Sequence, residues 1–324
     1  MLNSENTPRR AVVMYNPLAG RGKAANVAYK SKRYLEQEGW HSGPIIATKY
    51  AGHIETELAK EWGSKVELIV LVGGDGTLRE LVSGLRSSKQ TIDIAFIPMG
   101  NANVVARELN IPLQTKAAIE LISKGQAKQV DACILKQNNQ SDTLFLAMLE
   151  IGFGAKVAQV VNQLRNGPLK RLYQFWGDIV YAIAGFLALK GIGQDQFKVK
   201  TESILTNNTA IETRSAHTII SNMQTYAKDW SLTPDARCDD GLLDVAISTH
   251  TNAWTTLKTF LAASQKRKLK PAVMTYQQAN SVSISGKPTL FVQVDGDPIN
   301  FSGNAEVYIE KGAFSILVKK AKKK

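Results

Sequence analysis

VELIVLVGGDGTLRELVSG, residues 66–84, is the stretch from which the fold of this chain can first be inferred. The run of five aliphatic residues at 68–72 predicts a buried strand, and the glycine-rich segment 73–77 predicts a turn. Beyond the turn, apolar residues recur at the spacing of one helical face, at Leu78, Leu81, Val82 and Leu85. A strand, a glycine turn and a helix in this order indicate one unit of an α/β domain.

The glycine turn suits an anion that lies close to the backbone. Gly73, Gly74 and Gly76 let a ligand approach the main chain, and the amides that begin the next helix favour negative charge. Asp75 would repel a phosphate unless a cation or a proton lies between them. The turn therefore favours phosphoryl chemistry with a divalent cation, although an ordinary strand–helix turn fits the same glycines. The Walker pattern G-x-x-x-x-G-K-[ST] is absent. The dinucleotide fingerprint G-x-G-x-x-G also fails to match, because Arg79 stands where its third glycine would belong.

The same alternation extends over the first part of the chain. Strands are predicted at 11–16, 45–48, 68–72 and 94–99, with helices between them, the second at 54–62. In a parallel sheet the carboxyl ends of the strands meet at one edge, where ligands bind. That edge would collect the turn Asn16–Lys23, Thr48, the turn Gly73–Thr77 and the loop Gly100–Asn103. We predict an α/β nucleotide-binding domain over residues 1–126, with a parallel sheet flanked by helices.

From residue 127 the pattern changes to short strands separated by turn residues. They are predicted at 130–136, 143–151, 197–205, 218–222, 242–248, 281–285, 289–294, 305–309 and 314–318. Helices are predicted at 155–164, 169–189 and 252–263. This pattern is typical of an antiparallel sandwich or barrel. We predict a mostly antiparallel β-sandwich with inserted helices over 127–318, its last strand packed back toward the first domain, and a basic tail at 319–324.

Three stretches of the second domain carry possible chemistry. Asn166–Gly193 is rich in apolar and aromatic residues, which fits core packing or the wall of a site for a hydrophobic substrate. Asp235–Asp244 (DARCDDGLLD) holds four acids, which fits a hard cation or an ordinary Asp-Gly turn. In Val294–Pro298 (VDGDP), Asp295 and Asp297 would share a face if the strand continued, unless a tight turn begins there.

Composition narrows the classes of function. The chain has 324 residues and a net charge of +12, with basic clusters at Lys266–Lys270 and Lys319–Lys324. These clusters would attract an anionic membrane surface, whereas nucleic acid is disfavoured because no recognition motif accompanies the charge. Only two cysteines are present, and the four histidines lack metal-ligand spacing. With no secretory signal, and with Ile179–Leu189 too short to span a bilayer, we expect a cytoplasmic protein that associates peripherally with the membrane.

The ordered motifs resemble a known family. Gly73–Thr77, preceded by Asn16–Gly20 and followed by Pro98–Pro112, is similar to the diacylglycerol kinase catalytic domain. Within that family the closest resemblance is to the soluble bacterial diacylglycerol kinases and YegS-like lipid kinases, relatives of the sphingosine kinases. The resemblance extends through residues 181–186 (YAIAGF), 234–245 (PDARCDDGLLDV) and 294–297 (VDGD), so it covers nearly the whole chain. GGDGT alone also occurs in NAD kinases, whereas the ordered set is more specific to lipid kinases.

The resemblance implies an enzyme that uses ATP and Mg²⁺. ATP would be bound by Asn16, Pro17, Gly20, Thr48, Gly73, Gly74, Asp75, Gly76, Thr77, Arg79 and Asn101. Asp297 would accept the proton of the acceptor hydroxyl, Asp295 would support it, and Asp75, beside the Mg²⁺ of the nucleotide, would be the third catalytic residue. A Mg²⁺ in the second domain would be held by the Asp240 side chain and the main-chain oxygens of Arg237 and Leu242.

The acceptor implied by the resemblance is a hydroxyl of a neutral lipid, diacylglycerol-like by default. Its tails would lie along Asn166–Gly193, and the reaction would take place where the two domains meet. Three residues depart from the family pattern: Asn101 replaces a threonine, Val104 replaces an acid, and Glu150 stands where an asparagine is more usual. A kinase of a soluble acceptor such as NAD, and a lipid- or nucleotide-binding regulator with a weakened kinase site, are the alternative interpretations.

Overall fold

The computed structural model describes residues 9–60, 65–166, 196–203, 210–226, 230–250 and 252–320. The chain divides into two compact units. Unit 1 comprises the chain up to Asp131 together with its end from Gly312, and unit 2 comprises Ala132–Lys311. The predicted helix 169–189, the motif 181–186, nearly all of Asn166–Gly193 and the last four lysine-tail residues lie outside the described residues.

Unit 1 is an α/β domain. Its strands are β1 (Arg10–Tyr15), β2 (His41–Ala47), β3 (Leu68–Gly73) and β4 (Asp93–Pro98). They pair in the order β2-β1-β3-β4, and the C-terminal part of the last strand, β16 (Asn304–Val318), joins beside β4. All of these pairs are parallel, which confirms the predicted fold class.

Helices cover the sheet of unit 1. They are a 3₁₀ turn at Ala19–Gly22, α1 (Ala24–Gln37), α2 (His53–Leu58), α3 (Asp75–Ser88), α4 (Val104–Glu108) and α5 (Thr115–Lys124). One buried cluster joins α1 and α5 to the sheet through residues such as Leu35, Val70 and Ile122. The second helix ends at Leu58, four residues before the predicted end at 62. The strands β3 and β4 were predictable because they are buried on both faces, as strands of a parallel sheet usually are.

Unit 2 is an antiparallel β-sandwich with helices. Its elements are the end of β5 (Gln126–Gln137), β6 (Thr143–Phe145), β7 (Met148–Ile151), α6 (Phe153–Asn166), β8 (Phe197–Glu202), β9 (Ile211–Ser215), β10 (His217–Ser221), β11 (Leu243–Ser248), α7 (Ala253–Ser264), β12 (Thr275–Ala279), β13 (Ser281–Ser285), β14 (Val292–Val294), β15 (Asp297–Ile299) and the first part of β16. One sheet runs β12-β11-β10-β7-β14-β15, and the other contains β16-β13-β8-β9. A single apolar cluster draws buried residues from both sheets, which confirms the predicted sandwich.

Several predicted strand boundaries in unit 2 were wrong for identifiable reasons. The single strand predicted at 143–151 is two strands, because the amides of residues 146–148 donate to a side-chain carboxylate instead of a strand. The two strands predicted at 305–309 and 314–318 are one continuous β16, in which Gly312 takes a left-handed backbone angle and donates to the Asp131 carboxylate. β9 and β12 were missed because their sequences, IETRS and TYQQA, are mostly polar. Among the described helices, none is long and apolar enough to cross a membrane.

Candidate functional site

Four loops of unit 1 meet at the carboxyl edge of its parallel sheet. Asn16, after β1, donates from its side-chain amide to the Thr77 hydroxyl in the first turn of α3, the helix that follows β3, at 3.3 Å. The amide of Gly20 donates at 2.9 Å to the carbonyl of Met99, which follows β4. Thr48 is held beside the end of β1, where its amide donates to a main-chain carbonyl. The structure therefore brings together the loops that the sequence placed at this edge.

Two glycines let the loops after β3 and β4 touch through their backbones. A Cβ on Gly100 would lie 2.7 Å from the Cα of Gly74, closer than any side chain can come. The first turn needs glycine for a different reason, because Gly20 has a φ of +58°, in the left-handed region that other residues avoid. These loops present main-chain amides at close range, which is the arrangement that binds phosphate.

Asp75 is the first residue of α3 and points at the beginning of α4. Its Oδ1 accepts a hydrogen bond from the Val105 amide at 3.1 Å. Burial raises the pKa of Asp75 above its ordinary value, and the amides around it, that of Val105 foremost, only partly offset this effect. A cation beside this half-buried carboxylate would offset the cost of its partial burial, so Asp75 fits a position beside a metal ion.

The remaining predicted nucleotide residues differ in exposure. Pro17, Gly76 and Asn101 are exposed, and Arg79 is half-buried on α3. Asn103 ends the loop that the sequence placed at this edge, but it was not among the residues predicted to bind ATP. It is buried, with a φ of +49°, and its side chain both accepts from the Gly100 amide and donates to the Gly100 carbonyl, each at 2.9 Å. Asparagine tolerates the left-handed conformation better than most residues, and that was the available signal.

The two acids of VDGD lie on a tight hairpin rather than on one strand face. Asp295 and Gly296 have φ of +48° and +88°, so they form the two central residues of the turn between β14 and β15. The Asp295 carboxylate accepts hydrogen bonds from the amides of Leu146, Ala147 and Met148, at 2.9, 2.8 and 3.1 Å. Asp295 therefore fixes the hairpin to the segment that precedes β7. Of the two alternatives for this stretch, the tight turn is the one that the structure adopts.

Asp297 occupies a different environment. It is the first residue of β15, pairs with Val294 and is exposed. An exposed carboxylate on an anchored hairpin can approach a substrate hydroxyl. The Asp295 carboxylate is less suited to this, because three amides already bind it. The structure thus separates two acids that lie two residues apart in the sequence into one anchoring residue and one accessible residue.

The acidic loop at 235–244 contains one residue suited to a cation. Asp240 accepts a hydrogen bond from the Leu242 amide at 3.0 Å, and Gly241 takes a left-handed backbone angle. Two of the other acids are paired, Asp235 with Lys268 and Asp239 with Arg237. Throughout the described ranges, no three His, Cys, Asp or Glu side chains cluster so as to hold a metal ion. A cation here would depend mainly on main-chain oxygens, in agreement with the ligands that the family resemblance implies.

Asp244, on β11, is a buried acid beside this loop. The side chain is buried, and its Oδ2 finds no hydrogen-bond partner among the described residues. Burial raises the pKa of Asp244 to about 6, although Gln278 donates a hydrogen bond to it, and the nearby Asp240 and Asp235 raise it further. A hard cation at Asp240 would offset this repulsion, so the donor set fits Mg²⁺.

Glu150, noted above as a departure from the family pattern, lies at the centre of a buried polar cluster that no local sequence pattern predicts. From β7, its carboxylate contacts His217 of β10 at 2.8 Å, Tyr226 at 3.0 Å and Gln293 of β14 at 2.7 Å. Burial alone would raise the pKa of Glu150, but hydrogen bonds from these partners, His217 foremost, hold it below its ordinary value. We call these four residues the Glu150 cluster. It joins three strands beside the hairpin that carries Asp297.

Family models match both units. The diacylglycerol kinase catalytic domain matches residues 10–135, and the YegS C-terminal NAD kinase beta sandwich-like domain matches residues 147–318. A diacylglycerol kinase of Staphylococcus epidermidis is 28% identical over 307 residues, which cover 93% of this chain and 91% of that protein. A diacylglycerol kinase of Staphylococcus carnosus is 26% identical, with coverage of 94% and 96%.

A solved structure supports the fold independently. The crystal structure of a diacylglycerol kinase from Bacillus anthracis superimposes with a TM-score of 0.70 and covers 98% of this chain and 99% of that one. The sequence identity is only 21%, so this comparison bears on the fold. Together with the family models, it agrees with an α/β unit followed by an antiparallel sandwich.

The contact between Gly74 and Gly100 predicts that a side chain at position 100 lowers the stability of the protein. Gly100→Ala should destabilise the protein by about 2 kcal/mol, because the new methyl would force two backbones apart. Gly76→Ala, in the same region, is the matched control, since no atom of the described residues lies within 4 Å of the added methyl. Thermal unfolding of both variants tests this, and equal midpoints for Gly100→Ala and the wild type would contradict it.

The anchoring role of Asp295 predicts a graded loss of stability. Asp295→Ala leaves three buried amides without their acceptor and should cost about 3 kcal/mol or more. Asp295→Asn retains one oxygen acceptor and should cost less. Urea unfolding measures both values, and an alanine variant as stable as the wild type would show that the carboxylate does not anchor the hairpin.

Replacing Glu150 should make the free energy of unfolding depend less on pH in the acidic range. Because its folded-state pKa lies below the ordinary 4.5, Glu150 contributes stability above about pH 4.5, and this contribution disappears as pH falls through the folded-state pKa. Glu150→Gln should therefore lower the free energy of unfolding by about 1–3 kcal/mol at pH 7, and by less near pH 4. Glu120→Gln, at an exposed pair with Lys124, is the control and should leave the unfolding midpoint unchanged. A loss that is the same at both pH values would argue against this assignment.

Proposed function

We propose, since this chain belongs to the diacylglycerol kinase and YegS family of lipid kinases, that it transfers the γ-phosphoryl group of ATP to a hydroxyl of a neutral lipid, diacylglycerol-like by default. The observation that carries this proposal is the convergence of four glycine-marked loops at one edge of the unit 1 sheet. Unit 2 supplies an exposed carboxylate, Asp297, on a hairpin that Asp295 anchors.

ATP binding is assigned to the loops of unit 1. The main-chain amides at the beginning of α3 and around Gly20 would receive the phosphates, because helix N-termini and glycine turns favour anions. Asn16 and Thr77, already joined by a hydrogen bond, would hold the loops at a fixed spacing. Arg21 and Lys23, both exposed beside the first turn, would add positive charge without blocking it.

Asp297 is assigned as the proton acceptor. The lipid hydroxyl would form the new bond to the γ-phosphorus while the bond to the β,γ-bridging oxygen breaks, leaving ADP, and its proton would pass to the Asp297 carboxylate. Phosphoryl transfer depends mostly on positioning and charge neutralisation, so a rigid hairpin is an advantage. Asp295 would act only through the position of this hairpin.

Mg²⁺ is the cofactor that the chemistry requires. The residues that would hold it in unit 2 are Asp240, through its carboxylate, and Arg237 and Leu242, through their main-chain oxygens; Asp75 would lie beside the Mg²⁺ of the nucleotide. When bound, a divalent cation neutralises charge on phosphate oxygens. The buried, unpartnered oxygen of Asp244 supports a cation near the acidic loop.

A cavity of unit 2 lies beside the proposed proton acceptor. It has a volume of about 400 Å³ and lies against α6 and the β14–β15 hairpin, lined by Ala155, Gln159, Leu290, Phe291, Pro298 and Ile299 among others. Pro298 directly follows the proposed proton acceptor. The exposed lining of this cavity is more polar than apolar, so we assign the lipid tail only to the 166–193 region proposed from the sequence.

The Asp297 carboxylate gives the direct test. Asp297→Asn should lower the rate of phosphate transfer from labelled ATP to diacylglycerol by at least about 100-fold, because the variant has no group to accept the hydroxyl proton. ATP affinity and the unfolding midpoint should stay unchanged. Glu306→Gln, another exposed carboxylate on a strand of unit 2, is the matched control.

Two outcomes would overturn the proposal. One is full activity of Asp297→Asn. The other is an absence of transfer by the wild-type protein to any neutral lipid with Mg²⁺ or Mn²⁺. Binding of ATP and lipid without turnover would favour the regulator instead, an alternative that the apolar Val104 at the beginning of α4 supports. Transfer to NAD in place of lipid would favour a kinase of a soluble acceptor.

A further inference from the structure

Helix α7 exposes two large apolar side chains to solvent. Trp254 and Leu261 are 63% and 52% exposed, and their spacing of seven residues places them on one face, two turns apart. Thr256 and Ala263 lie on the opposite face and are buried, the latter in an apolar cluster with Met148. A surface helix usually directs its large apolar residues toward the core, so the exposure of Trp254 and Leu261 is unusual.

The two exposed side chains belong to a helix with a defined N-terminal cap. Asn252 caps α7 through a capping box, in which its side chain accepts from the Thr255 amide and the Thr255 hydroxyl accepts from the Asn252 amide. Such a cap fixes the first turn, where Trp254 lies. The orientation of Trp254 and Leu261 therefore follows from the packing of the opposite face.

The charge around this face is mostly positive. Lys258 lies between the two apolar residues, with its Nζ 5.3 Å from the centre of the Trp254 ring. The turn after the helix, which we call the basic turn, exposes Lys266, Arg267 and Lys270. No aspartate or glutamate occurs in the sequence between Asp244 and Asp295. One acid from outside that segment lies beside the basic turn, Asp235, and it is paired with Lys268. A surface with large apolar residues and an excess of flanking cations is complementary to an anionic, partly apolar partner.

We propose that this face of α7, together with the basic turn, docks onto an anionic lipid bilayer. Trp254 and Leu261 would enter the interface, while Lys258 and the basic turn would contact lipid phosphates. The inference rests on the proposed function and deepens it, because an enzyme whose acceptor is a membrane lipid has to reach the bilayer surface.

A bilayer fits this surface better than a protein partner does. A stable protein interface buries about 800 Å² on each side, more than two exposed side chains and a short turn supply. A bilayer needs only a few inserted side chains, because charge attraction to the headgroups adds to the apolar contribution. Tryptophan and lysine both combine an apolar body with a polar end, which suits the boundary between headgroups and acyl chains.

Co-sedimentation with vesicles, without nucleotide, tests the proposal on the full chain. The vesicles are phosphatidylcholine alone, or phosphatidylcholine mixed with phosphatidylglycerol. We expect binding to the mixed vesicles, and a loss of affinity of about tenfold or more in the double variant Trp254→Ser, Leu261→Ser. The variant Lys258→Gln, Arg267→Gln, Lys270→Gln should lose the preference for phosphatidylglycerol. Tyr29→Ser, at an aromatic residue of α1 that is 62% exposed, is the control and should bind as the wild type does.

Tryptophan fluorescence gives a second measurement. Brominated lipids should quench the wild type more than Trp254→Phe, because the quenched ring would be inside the interface. The proposal is overturned if the double variant binds as the wild type does, or if the wild type binds neither kind of vesicle. It is also overturned if the double variant loses only self-association in sedimentation velocity, since a second copy would then cover the face. Failure of the proposed kinase function would instead appear as intact vesicle binding without phosphate transfer.

Discussion

The three hydrogen bonds that converge on the Asp295 carboxylate are the interaction on which the candidate active site of unit 2 depends. They interrupt what would otherwise be one strand between β6 and β7, and they fix the β14–β15 hairpin to that interruption. Because the turn has two left-handed residues, aspartate followed by glycine suits it with little strain. Fixing one carboxylate in this way leaves the other, Asp297, accessible on a hairpin that cannot move far.

The Glu150 cluster reinforces the same region from the neighbouring strands. A buried carboxylate is costly unless it is fully hydrogen-bonded, and here His217, Tyr226 and Gln293 provide that compensation. The partners come from separate elements, so the cluster holds β7, β10 and β14 in register. Gln293 lies two residues before Asp295 and pairs with Glu150 across the ladder. The hairpin is therefore held by two carboxylates, one at its turn and one within the sheet.

Unit 1 achieves rigidity by a different means. Its loops are held mainly by main-chain contacts, in which Gly74 and Gly100 touch and the Gly20 amide reaches the Met99 carbonyl. Backbone contacts of this kind leave the amides of the turns close to a ligand, which a phosphate requires. The helix after β3 begins with a half-buried acid, Asp75, which accepts a hydrogen bond from the Val105 amide at the beginning of α4. The proposed phosphate and cation positions would therefore lie within one small region of this unit.

The sequence by itself determined the parallel α/β unit, the sandwich and the edge at which the nucleotide loops meet. These features follow from the period of apolar residues and from glycine turns, which are local and can be read over a few residues. Only the tertiary structure decided that Asp295 anchors while Asp297 is exposed, that Glu150 has three buried partners and that Asn103 closes a loop on Gly100. It also decided that α7 exposes Trp254 and Leu261. The Asp295 acceptor and its donors are about 150 residues apart in the chain, and such pairing leaves no local pattern, because it is set by which strands become neighbours.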